Sequence, residues 1–178
     1  FPKSEEALTQ AKNHLVFEEL FVLRTSLMLL KNKKRVKSPF VFKNDYTNDY
    51  INSLPFNMTG AQRRVIDECV SDMASGRVMN RLVQGDVGSG KTAVAAALMY
   101  HTAKQGFQAA IMAPTEILAE QHYKNLCESL KNTDIKCVLL TGSNKKSERE
   151  NAKQLLLNGQ AQIAVGTHAL ISDDIKFC

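Results

Sequence analysis

The sequence predicts an α/β fold, a parallel sheet with crossover helices, preceded by a long N-terminal helix. Three observations predict it. From about residue 53 onward, short apolar runs alternate with helical stretches, the pattern of parallel strands joined by crossovers. A glycine-rich segment, Gly85 to Thr92, lies between one such run and an Ala-rich helical stretch. Between Leu8 and Leu30, apolar residues recur at helical spacing.

Taken in order, Ser4 is placed to cap a helix whose first turn holds Glu5 and Glu6, where the positive end of the helix favours acids. Leu8, Ala11, Leu15, Leu20, Leu23, Leu27 and Leu30 then give that helix a wide apolar face, which needs a partner to bury it. From Asn32 to Pro55 the periodicity fades, and Ser38-Pro39 with the polar stretch Lys43 to Asn52 reads as a connector. The expected boundary is near Asn52, giving a helical connector over 1–52 and a second domain over 53–178. Beyond it the sequence predicts helices over Gln62–Met73, Lys91–Lys104, Ile117–Leu130 and Ser147–Leu157. Strands are predicted over Arg81–Gln84, Phe107–Ala113, Ile135–Thr141 and Gln162–Val165.

Composition narrows the class. Hydrophobic content of 44% with 23% charged residues is that of a folded chain and excludes disorder. The apolar stretch Leu15–Leu30 is broken by Glu18, Glu19 and Arg24, too short and too charged to span a bilayer. No signal peptide is visible. The four cysteines have no paired or zinc-like spacing, so ordinary thiols in a cytoplasmic protein are expected. The net charge of +5 permits nucleic-acid binding without demanding it. The basic run Lys31, Lys33, Lys34, Arg35 and Lys37 suits either a phosphate backbone or a solvated helix end.

The chemistry lies in Gly85-Asp86-Val87-Gly88-Ser89-Gly90-Lys91-Thr92, which matches G-x-x-x-x-G-K-[ST] in full. Its glycines let the backbone curl so that several N–H groups converge on one anion. The helix that follows points unpaired N–H groups and its positive end at phosphates. Lys91 brings a mobile charge to the β and γ phosphates, and the Thr92 hydroxyl is a ligand for Mg²⁺. ATP and Mg²⁺ are therefore the expected cofactors, with Lys91 and Thr92 as the catalytic candidates.

At this level the chain resembles superfamily 2 helicases, and specifically the RecG-type branched-DNA helicases. The segment Met79 to Thr92 is similar to that family's motif I and its preceding strand. Leu54-Pro55-Phe56, Thr59 and Ala61-Gln62 resemble its glutamine motif, which implies that the Gln62 amide reads adenine. Ala113 to His122 resembles motif Ia and implies DNA contact by Pro114, Thr115, Gln121 and His122. Thr141-Gly142 resembles the glycine-containing DNA-contact turn, and Gly166-Thr167-His168 resembles motif Ib. The N-terminal helix, with Phe1-Pro2 and Phe17 to Phe21, is similar to the family's connector between a DNA-binding wedge and the motor. The resemblance implies a truncated RecA-like P-loop NTPase lobe in a motor that remodels forks and Holliday junctions in repair and recombination. In that motor, nucleotide-driven closure of two lobes moves duplex DNA.

The first residue is Phe1, and the chain stops at Cys178, ahead of the family's next acidic motif. A piece of a longer protein is therefore expected, without the second motor lobe and the wedge, and inactive alone as an ATPase. Asp173 and Asp174 do not follow an apolar strand and are not expected to replace that motif. Three other readings share these residues: a translocase like the transcription-repair coupling factor, another P-loop enzyme, or a non-catalytic nucleotide- or DNA-binding module.

Overall fold

The computed structural model describes residues 2–33 and 37–178, with residues 31–33 described by their backbone. Lys34 and Arg35 of the basic run, the side chains of Lys31 and Lys33, and Phe1 lie outside the described residues. The chain divides into two compact units, Phe1–Ser38 and Pro39–Cys178.

The first unit is built on one helix, α1 (Glu5–Lys33), of 29 residues. It starts as expected: the Ala7 N–H donates to Ser4 Oγ at 3.2 Å, and Glu5 and Glu6 occupy the first turn. A single helix has nothing in its own unit to bury its apolar face. Phe17, Leu20, Phe21 and Leu27 are accordingly each more than half exposed.

The second unit contains, in order, α2 (Thr47–Ser53), α3 (Gly60–Ala74), α4 (Lys91–Lys104), β1 (Ala109–Met112), α5 (Glu116–Leu130), β2 (Cys137–Leu140), α6 (Lys146–Leu157) and β3 (Ile163–Gly166), then a 3-10 turn at His168–Ile171. The strands form one parallel sheet in the order β1-β3-β2. Met112 and Leu140 both pair with Gly166, so the three strands end level with one another. All four residues of the central strand are buried, as expected for a parallel strand covered on both faces. Alternate side chains serve different layers. Ile163 and Val165 join the core with α4 and α5, while Ala164 joins Val138, Leu140, Ala152 and Leu156 beneath α6.

One expectation needs correction. Arg81–Gln84 is not a strand. A strand needs a neighbour for its backbone N–H and C=O groups, and among the described residues none pairs with this segment. It is tethered instead by its first side chain: the Arg81 guanidinium meets Glu68 and Asp72 of α3, each at 2.5 Å. Leu82 next to it is 89% exposed.

Within the stretch expected to be a connector, residues 39–53 make specific contacts with α4 and Phe107. Phe40 and Phe42 lie 5.1 and 5.3 Å from the Phe107 ring. The Thr47 N–H and hydroxyl both donate to Asp45 Oδ1, at 2.8 and 2.7 Å, which starts α2. Tyr50 then packs on Tyr100 of α4 with centroids 5.4 Å apart. Division by packing thus falls at Ser38–Pro39, ahead of the Asn52 boundary suggested by composition. Of the aromatics spaced singly through this polar stretch, Tyr50 is buried, Phe42 and Tyr46 are half-buried and Phe40 is exposed, and together they show no period.

This strap closes over His101, which is fully buried on α4. The Tyr46 N–H donates to His101 Nδ1 at 3.3 Å, Phe42 stacks on the ring at 5.5 Å, and Asp45 Oδ1 lies 3.8 Å away. Burial pushes the imidazole pKa below its ordinary value, against a smaller upward pull from Asp45. A neutral ring accepting at Nδ1 carries its proton on Nε2, which has no hydrogen-bond partner among the described residues.

Two outcomes follow for stability. Since the unfolded chain takes up a proton at His101 more readily than the folded one, stability is fully present above about pH 6.5 and is lost as pH falls below it. Urea unfolding of His101→Gln, which keeps an acceptor for Tyr46, should show a shallower fall from about pH 7 to about pH 5; an unchanged slope would acquit His101. At Gly166, an added Cβ would lie 2.1 Å from the Leu140 carbonyl oxygen. Gly166→Ala should therefore lower stability by about 1–3 kcal/mol, and an unaltered denaturation midpoint would contradict that.

Candidate nucleotide and nucleic-acid site

The glycine-rich loop delivers the chain into α4 without a side-chain cap, since Gly90 at the N-cap supplies none. The first turn of a helix has N–H groups with no intrahelical acceptor. Here no Ser or Asp side chain caps them. Gly88 and Gly90 take φ of 80° and 79°, the left-handed region, which lets the loop double back between Asp86 and Ser89. The Ser89 N–H donates to Asp86 O at 3.2 Å across this turn. Lys91 folds over the loop, its Nζ donating to the carbonyls of Gly85 and Asp86 at 2.8 and 2.7 Å. Val87 points fully into solvent, and Thr92 is half-buried in the first turn of α4.

Gln62 belongs to this loop in a way its motif did not suggest. Its Nε2 donates to Ser89 O at 2.9 Å, while its Oε1 accepts the Thr59 N–H at 2.8 Å. The Gln62 N–H donates in turn to Thr59 Oγ1 at 3.3 Å, completing a reciprocal cap on α3. Space is tight: a Cβ at Gly90 would come within 2.4 Å of Gln62 Nε2, and one at Gly85 within 2.7 Å of Ser89 Oγ. Both neighbours are ends of flexible side chains, so it is the positive φ of Gly88 and Gly90, more than lack of space, that favours glycine in this loop. The spacing Thr59-x-x-Gln62 was a readable signal for the cap.

Most of the other expected contact residues follow the strand ends, because parallel strands in level register send their loops to one edge, while Gln121 and His122 lie inside α5. Thr115 caps α5, its Oγ1 accepting the Leu118 N–H at 3.3 Å, and Pro114 and Gln121 are exposed. His122 is half-buried, with an inaccessible Nδ1 that has no hydrogen-bond partner among the described residues. Thr167 is half-buried and His168 exposed, opening the 3-10 turn.

Two of the expected contacts face inward. Thr141 is 1% exposed, its N–H and hydroxyl donating to Asn144 Oδ1 at 2.6 and 3.0 Å. Gly166 is buried against β2. Both shape the loops from within and do not reach a ligand by side chain. Gly142 is exposed on the same turn. Sequence reading missed Asn144, which closes the turn, and Glu116, whose Oε1 accepts the Ser143 N–H at 3.2 Å. It also passed over Lys145 and Lys146, exposed beside them. Asp174 is engaged elsewhere. Its hydrogen bond with Lys153 at 2.6 Å, another with Ser172, and Arg149 at 3.5 Å hold its carboxyl down to about 2. Among the described residues, no helix is long and apolar enough to cross a membrane.

Comparison with known proteins agrees with this geometry. The DEAD/DEAH box helicase family model matches residues 59–177. The ATP-dependent DNA helicase RecG of Thermotoga maritima is 42% identical over 99% of this chain and 23% of its own length. That of Bacillus subtilis is 42% identical over 99% of this chain and 26% of its own. A structure of RecG bound to a three-way DNA junction superposes with a TM-score of 0.82 at 42% identity, covering 99% of this chain and 25% of that one. A hypothetical ATP-dependent RNA helicase from Sulfolobus tokodaii shares the fold, with a TM-score of 0.53 at 23% identity over 72% of this chain and 35% of its own. The chain thus spans about a quarter of the length of the RecG relatives it matches. The resemblance to RecG-type helicases carried by the motifs is borne out, and the chain belongs to the DEAD/DEAH box helicase family.

Proposed function

We propose that this chain supplies the ATP phosphate cradle and part of the DNA-contact surface of an ATP-dependent DNA helicase that remodels branched DNA. One observation carries the reading. The uncapped N-terminus of α4 holds a complete G-x-x-x-x-G-K-T loop, and the same unit gathers the loops after β1, β2 and β3 at one sheet edge. Ligands of open α/β sheets bind at such edges. Residues 1–52 are assigned to a connector, with the strap over α4 as its seated end, and residues 53–178 to the first part of a RecA-like motor lobe.

Each residue has a role in this reading. Lys91 leaves the Gly85 and Asp86 carbonyls to pair with the β and γ phosphates. Thr92 offers its hydroxyl to Mg²⁺, and the N–H groups of the α4 first turn hold phosphate oxygens. Gln62 joins recognition of adenine to the shape of the loop, because the amide suited to the base already grips Ser89. Bound Mg·ATP supplies the phosphoanhydride whose cleavage drives the motor. On the DNA side, Pro114, Thr115, Gln121, His122, Gly142, Thr167 and His168 line the phosphate-facing edge. Thr141 and Gly166 set its shape from beneath.

Calorimetric titration with Mg·ADP should give micromolar-range binding, weakened at least roughly tenfold in Lys91→Ala. Equal affinity for both proteins would reject the cradle. Gln62→Ala should weaken Mg·ADP and Mg-pyrophosphate alike, because the loop loses its tie at Ser89; a loss confined to the nucleotide would leave Gln62 with the base alone. Steady-state hydrolysis by the 178-residue chain should be negligible, since its residues provide the cradle and one Mg²⁺ ligand. Steady phosphate release that Lys91→Ala abolishes would overturn that expectation.

A further inference from the structure

The loops after β1 and β2 are not neighbours. In the order β1-β3-β2 a whole strand separates them, so no direct backbone pairing joins the two. One side chain spans the gap. Glu116, the first residue of α5, has its carboxylate Oε1 3.2 Å from the backbone N of Ser143, in the turn that follows β2. Gly142 lies close beneath the carboxylate, for a Cβ there would stand 2.9 Å from the same oxygen. The turn that receives it is already stiff: Asn144 Oδ1 takes both the N–H and the hydroxyl of Thr141, and the hydroxyls of Thr141 and Ser143 lie 3.1 Å apart. A rigid turn hung on one strut moves with that strut.

An acid at the first position of a helix is ordinary and needs no function, because it complements the helix dipole. That role is satisfied by a carboxylate left in solvent. Glu116 instead reaches 27 residues along the chain to a single backbone N–H, a charge-assisted contact between two loops. We propose that Glu116 is a positioning residue for DNA: its carboxylate ties the Gly142-Ser143 turn to the N-terminus of α5, so that the two loops present one phosphate-binding surface at fixed spacing. The inference rests on the assignment of these loops to DNA under Proposed function. Glu116 carries no positive charge and does not itself attract the backbone. It decides whether Thr115 and the turn can engage phosphates of one strand together, and losing it costs the simultaneous contact rather than either contact alone.

The strut is told apart from helix-dipole support by length and charge. Glu116→Asp keeps the charge at the helix start but is one methylene too short to reach Ser143. Glu116→Gln loses the charge but keeps the length and an acceptor oxygen. Binding of the intact protein to a fluorescent forked duplex, and to Mg·ADP, is measured for these variants, for Glu116→Ala, and for Thr115→Ala combined with His168→Ala.

The expected result is DNA affinity reduced roughly five- to tenfold in the Ala and Asp variants, within about twofold of the parent in Gln, and unchanged Mg·ADP binding throughout. Full affinity in the Asp variant, or a Gln variant as weak as Ala, would overturn the strut and leave the dipole account. If the Thr115/His168 pair weakens DNA binding and Glu116→Ala does not, the positioning role alone fails. If neither affects it, the DNA assignment of this edge fails with it.

Discussion

Three strands of four residues each, paired in parallel and ending level, fix where every ligand-facing loop can lie. The constraint is steric as well as hydrogen-bonded. β3 is buried on both faces, and its last residue approaches the β2 backbone so closely that only glycine fits. From that pairing the loops after β1, β3 and β2 emerge side by side in that order. Helix α4 meets the same core through Val94, Ala97 and Tyr100 and leads directly into β1, which orients the phosphate loop at its other end. The hydrophobic layers hold this frame, and the polar groups are arranged on its rim.

On the rim, small hydrogen-bond networks substitute for secondary structure. The Thr59–Gln62 cap also grips the phosphate loop through Ser89, so the start of α3 and the start of α4 are mechanically joined. Asn144 does the same within the turn after β2, and Glu116 between two loops. Gln62 engages both ends of its amide, whereas Asn144 and Glu116 each act through a single oxygen. Cys137, beside Cys127 beneath α5, shows the opposite regime: burial pushes its thiol up to about 12, which keeps it an inert packing group.

Much of this was legible in the sequence. The loop Gly85–Thr92 was readable because backbone curling, a helix start and a lysine must coincide there. Helices α3 to α6 were readable because their apolar faces keep a helical period, and the predicted span of α4 matches the structure residue for residue. Residues 39–53 were not, since isolated aromatics in a polar stretch leave no periodic trace. Arg81–Gln84 was misread because apolar composition gives propensity, whereas a strand requires a partner. Thr141 and Gly166 were read as outward contacts from their motif positions, and only the sheet pairing reveals that they point inward. The Glu116–Ser143 contact depends on strand order, which local spacing does not encode.

The approach to the phosphate loop has an unusual kind of anchorage. Most of the second unit is fastened by burial, which ionic strength scarcely touches. Residues 81–84 are fastened by two ion pairs from one partly exposed arginine, and exposed pairs soften as salt screens them. The lead-in to the cradle therefore responds to the electrolyte while its floor does not. Dilute buffer steadies the stretch of chain that leads into the Gly85–Thr92 loop, and concentrated salt loosens it.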